Sequence, residues 1–187
     1  MATSNGQLIS TTLTDVIMAN GSTFFGIHRT PLHYLVKCCN ISSVRVEDVE
    51  CSVINVKRTN GVEENVFFDP VRISHASTGD AQATINIAPD SCRFFSVFRH
   101  ATAYEPPLLN GLNIPFDYRM LFNKSGVYKI IVCAHGKNTT GHSTIIEFQL
   151  NVSPNQDRNG KAYAEYHIPW VRQRAANSLG DGADAKS

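Results

Sequence analysis

The sequence predicts an all-β protein, an antiparallel β-sandwich followed by a C-terminal extension. Three observations carry this. Short runs rich in Val, Ile, Thr, Phe and Tyr recur between polar or Gly/Pro breaks, and no helical period is visible before residue 160. Ile146, Phe148, Leu150 and Val152 alternate with Glu147, Gln149 and Asn151, the pattern of a strand with one wet face. No repeat of fixed period argues for a solenoid or propeller.

Taken in order, the expected strands are Gln7 to Met18, His33 to Ile41, Val49 to Lys57, Asn65 to Phe68, Ala83 to Ile87, Arg93 to Phe98, Phe116 to Phe122, Val127 to Ala134 and Thr144 to Val152. On the penultimate one, Tyr128, Ile130 and Val132 share one face, and Lys129, Ile131 and Cys133 the other. Both faces are partly apolar, so the strand is expected at the centre of its sheet. The β-domain is expected to occupy 1–153. Ser153 to Gly160 then reads as a linker, and residues 169 to 179 as a short helix, with Pro169 at its start and Gly180 as its stop. Domain 154–187 is thus a linker and tail.

A chain of 187 residues that is 42% hydrophobic and 18% charged can bury one substantial core. Its formal charge of +1 supplies no global field for nucleic acid or anionic lipid. The longest apolar run, Ile130 to Ala134, falls far short of the roughly 20 residues that span a bilayer. No secretory pattern opens the chain and Gly does not occupy position 2, so a cytoplasmic protein is expected. The five cysteines, Cys38, Cys39, Cys51, Cys92 and Cys133, follow no zinc spacing and read as reduced, buried thiols. Asn20, Asn40, Asn123, Asn138 and Asn151 each head an N-x-Ser/Thr triplet, which matters only if the chain is exported.

Asn123 to Val132, in which a Gly turn introduces Tyr128, is followed by a polar turn and an alternating last strand. This stretch resembles the last two strands of immunoglobulin-like and fibronectin-like domains. The resemblance implies that the Tyr128 hydroxyl ties down a chain corner. Ile87 to Val97 is similar to the middle of such domains, and His33 to Ser42 to an early core strand. The chain departs from the antibody type, because Cys133 lies five residues beyond Tyr128 and Trp170 lies in the tail. No disulfide from Cys38 or Cys39 to Cys133 is therefore expected.

Chemistry-bearing motifs are few. Gly136 to Ser143 misses the phosphate loop GxxxxGK[ST] at its lysine, and a strand rather than a helix is expected to follow it. Gly126-x-Tyr128 leading to Cys133 and His135, with His142 beyond, resembles blue-copper proteins. That resemblance implies an alternative function as a metal-binding, cupredoxin-like sandwich, with His33 or His100 as a further imidazole. No GxSxG elbow is present, the seven histidines are scattered, and Glu47-Asp48 and Glu63-Glu64 are adjacent pairs aimed apart. No enzyme and no cofactor are expected.

What remains is a non-catalytic binding or assembly module. Arg99 to Asp117, with three prolines and no period, is a long excursion of the kind that carries recognition. The tail concentrates the aromatic and arginine residues favoured at interface hot spots. Tyr104, Leu108, Leu109, Tyr166, Trp170, Arg172 and Arg174 are the candidate partner-binding residues. A protein partner or a second copy is expected, with strand addition at a sheet edge as a further route, and the tail docks either on its own domain or on that partner. A carbohydrate platform would need an open aromatic face, which Tyr34, Tyr104 and Tyr118 do not establish by sequence alone.

Overall fold

The computed structural model describes residues 9–16, 32–66, 69–75, 84–137, 139 and 141–175. It is all-β, built from two antiparallel sheets that share one core. The smaller, five-stranded sheet runs β1 (Ile9–Val16), β2 (Leu32–Asn40), β8 (Cys92–His100) and β6 (Ser74–His75), with β9 (Leu108–Leu109) also paired to β8. The larger, eight-stranded sheet runs β12 (Ala162–His167), β11 (His142–Gln156), β10 (Gly126–His135), β3 (Val46–Asn60) and β4 (Val62–Asn65). To it are added β13 (Val171–Ala175) on β11, and β5 (Val71–Arg72) and β7 (Ile85–Ile87) on β3.

The period-two pattern of the last long hairpin fixes the inner face. Tyr128 pairs with Phe148 and Ile130 with Ile146, and all four are at most 1% exposed. Each such burial is worth about 1.5–3 kcal/mol against an exposed side chain. Across the gap, β8 supplies Phe95, Val97 and Phe98 and β2 supplies Val36 and Cys38. Phe98 stacks on Phe148 with centroids 4.8 Å apart, which joins the two sheets through one aromatic contact. Phe122 packs edge-on to both Tyr128 and Phe148. The Tyr128 hydroxyl donates to the Lys124 carbonyl at 2.8 Å, closing the corner that the Gly turn announces.

β10 sits centrally, between β3 and β11. The register with β3 shifts between Ile131 and Val132, and the extra residue, Ile54, is turned out to 40% exposure.

Four expectations are corrected. Phe116 to Phe122 is no strand: Phe116–Met120 is a 3-10 helix entered from Pro115. Its burial period shows why, because Tyr118, Leu121 and Phe122 turn inward while Phe116 and Met120 are 78% and 53% exposed. The expected linker is instead the end of β11 and the turn Asp157 to Lys161, where Asp157 caps the turn through Asn159 and Lys161. Residues 171–175 of the expected helix form a strand, because Val171 and Gln173 continue a period-two ladder against Phe148 and Ile146 of β11. Residues 176–179 lie outside the described residues.

The fourth correction concerns the thiols. Cys39 and Cys92, 53 positions apart, are joined in a disulfide. The register places them directly opposite one another on β2 and β8, a pairing that no local spacing reveals. Cys38 and Cys51 remain free and buried, and burial pushes the Cys38 thiol up to about 12. Asn40, at the head of one glycan triplet, is a core residue: its amide donates to the Val44 and Ile87 carbonyls and its oxygen accepts from Ser42.

Candidate functional site

The excursion after β8 is held rather than loose. Leu108 and Leu109 fold back to pair with Arg99 and Phe98, and the Asn110 amide donates to Val97. The first part of the excursion turns through Thr102, whose carbonyl accepts from Glu105 and whose hydroxyl accepts from the Tyr104 amide. The Ala103 carbonyl then accepts the Tyr166 amide at 2.6 Å. That bond ties the excursion to the end of β12 and brings together two segments that are far apart in sequence.

A groove of about 530 Å³ lies at this junction. Leu32 and Tyr34 of β2 form one wall, His100 to Tyr104 a second, and Tyr166 to Ile168 the third. Tyr34 is braced by stacking on Phe98 at 4.3 Å, and Tyr104 meets Tyr163 edge-on at 5.7 Å. Tyr104 is nevertheless 54% exposed and Leu32 45% exposed, so the rim presents apolar surface to solvent. The Nε2 of His100 is buried without a hydrogen-bond partner among the described residues. Burial holds this imidazole below its ordinary value, contacts with the Thr102 backbone act against that shift, and the nearby His167 adds to it. The groove therefore offers apolar rings and neutral imidazole, a surface suited to recognition of a partly apolar ligand.

The structure separates the candidate residues. Tyr104 lines this groove, as does Tyr166, although the latter is only 8% exposed. Leu109 is 4% exposed and belongs to the core; half-buried Leu108 lines a different pocket with Arg99. Trp170, Arg172 and Arg174 lie on the outer face of the larger sheet and engage their own domain. Trp170 Nε1 donates to Gln149 Oε1 at 2.8 Å, and the Arg172 guanidinium sits 4.7 Å over the Trp170 ring. Arg172 and Arg174 both reach the buried Glu147 carboxylate, at 2.5 and 3.0 Å. Of the three tyrosines considered for a sugar platform, Tyr34 and Tyr104 share the groove, while Tyr118 is buried and accepts the Asp69 amide.

The metal trio does not converge. Cys133 and His135 share a strand face by period two, whereas His142 pairs with the intervening Ala134. His135 instead contacts Glu50 at 2.7 Å, and no group of three metal-ligating side chains occurs among the described residues. The Gly136 to Ser143 turn leads into a strand, so it opens no helix for a phosphate. The groove itself was invisible in the sequence, because Leu32, His100 and His167 carry no local signal linking them. No protein-family model, curated protein or solved structure matches the chain.

Proposed function

We propose that this chain is a non-catalytic binding module with an immunoglobulin-like arrangement of its two sheets, meeting a protein partner at the groove between the excursion and the end of β12. The observation that carries this reading is the exposed apolar rim of Tyr104 and Leu32 above a groove walled by three separate segments. Aromatic side chains at the mouth of a concave site are the usual anchors of protein recognition. The Tyr128 corner supports the immunoglobulin-like arrangement. The tail contributes through Tyr166 and His167, while Trp170, Arg172 and Arg174 serve the sheet. The Cys39–Cys92 bond weighs against the cytoplasmic placement expected from the cysteine pattern, since disulfides persist in oxidising compartments.

The test uses the full chain as bait in the cell that makes it, alongside Tyr104→Ser and Leu32→Ser. Once a captured protein has been purified, its affinity for each bait is measured directly. Loss of about 2 kcal/mol of binding in Tyr104→Ser, at unchanged thermal stability, is expected of an anchor residue. Full affinity retained by both variants refutes the groove as the contact.

A further inference from the structure

A second pocket, of about 590 Å³, lies on the other side of the excursion between β9 and the 3-10 helix. Arg99 and Arg119 both line it, with Asn110, Asn113, Leu108 and Ile114, and no acidic residue does among the described residues. Both arginines are exposed, and neither forms an ion pair among the described residues. This is unlike Arg58, Arg72, Arg172 and Arg174, each of which is matched to a carboxylate. The Arg119 guanidinium lies 5.5 Å from the centroid of the Phe116 ring, a cation–π contact that limits where its fork can point.

The pocket has a built wall. Gly111 bridges to Ile73, and the Leu112 amide donates to the Arg72 carbonyl. A Cβ at Gly111 would lie 2.6 Å from the Arg72 carbonyl oxygen, so this wall forms only with glycine there. Asn110 is fixed from both sides, its amide on Val97 and its carbonyl accepting from Ser74.

We infer that this pocket binds a phosphate monoester, with Arg99 and Arg119 on the phosphate and Leu108 and Ile114 against the organic body. Two guanidinium forks match the charge of about −1.5 to −2 on such a group and its several acceptor oxygens. The side chains of Asn110 and Asn113, which line the same pocket, are of a type that supplies neutral amide donors. The volume argues for an ester rather than bare phosphate, since a water occupies only about 30 Å³ and the space exceeds any simple oxyanion. The inference does not depend on the groove at Tyr104, which shares no residue with this pocket.

The experiment titrates isotope-labelled full chain with phenyl phosphate and, separately, with inorganic phosphate. Saturable shifts of the Asn110, Gly111 and Asn113 amides are expected, with inorganic phosphate binding more weakly. Arg99→Gln and Arg119→Gln, both at exposed positions and each assayed well below its own measured melting temperature, should each weaken phenyl phosphate about tenfold or more. Shifts that never saturate, or unchanged affinity in both variants, overturn the site. Equal affinity for inorganic phosphate overturns the role given to Leu108 and Ile114.

Discussion

The two faces of the β10–β11 hairpin are built from alternate residues of the same strands, yet they are held by different forces. Inward point Tyr128, Ile130, Val132, Ile146, Phe148 and Leu150, all at most 1% exposed and locked by ring contacts across to the other sheet. Outward, one cross-strand row runs Arg172, Glu147, Lys129 and Lys57, and Glu63 reaches both lysines. The inner face gains from removing apolar area from water, which is strong and is not screened by salt. The outer face gains from ion pairs that are mostly half-exposed, which are weak and screened. The lesson is that the outer row contributes specific pairings between neighbouring strands, such as Arg172 of β13 with Glu147 of β11, rather than area removed from water.

The sharpest way to break this contrast is Phe148→Ala, which opens a cavity at the junction of both sheets. A loss of about 3–5 kcal/mol is expected in urea unfolding. A loss below about 1 kcal/mol would mean that Phe98 and Phe122 do not depend on it.

Next comes the double variant Arg172→Ala/Arg174→Ala. Glu147 is the one deeply buried member of the outer row, with its side chain 6% exposed, and the variant strips it of both partners. About 1–3 kcal/mol should be lost, together with protection of the β13 amides from hydrogen exchange. If stability falls but β13 stays protected, the arginines do not set its register.

The pH dependence sharpens the comparison from the other sheet. His33 is held below its ordinary value of 6.5 first by burial and then by the Arg99 charge, and His100 is lowered mainly by burial. Both are therefore favoured as neutral in the fold. Their stability is complete above 6.5 and is lost as pH falls from there through the lowered values, because the unfolded chain takes up protons first. Unfolding midpoints measured down this range should decline, and His100→Gln should flatten part of the decline. An unchanged slope would mean that His100 is not shielded by the groove.

The smallest effect belongs to Lys57→Ala, which removes one of the two lysines on Glu63. Less than about 1 kcal/mol is expected, shrinking further in high salt. A larger, salt-independent loss would show that the outer row stabilises the fold as the inner one does.

Some of the molecule could be read from residues a few positions apart. The alternation in Ile146 to Val152 and Tyr128 to Val132 defines the inner face, and the Gly-to-Tyr128 turn anticipates the hydroxyl contact at Lys124. The same reasoning failed at Phe116 to Phe122, where the aromatic spacing mimics a strand but burial follows a period near three. It also failed at Trp170 to Ala175, whose spacing admits a helix until β11 offers a free edge. Of the candidate binding residues, Tyr104 and Tyr166 came together and the others went elsewhere, because aromatic and arginine composition marks contact without saying with what.

The sequence by itself determined the all-β class, the inner face of the long hairpin and the absence of a helix after the Gly136 turn. Each follows from one-sided burial or turn chemistry encoded within a few neighbouring residues. Tertiary structure alone decided that Cys39 meets Cys92, that the C-terminal segment completes the larger sheet and that the excursion closes a groove against Tyr166. Those contacts join positions more than 20 apart, and their register depends on how the whole core packs, a free energy to which no local pattern gives access.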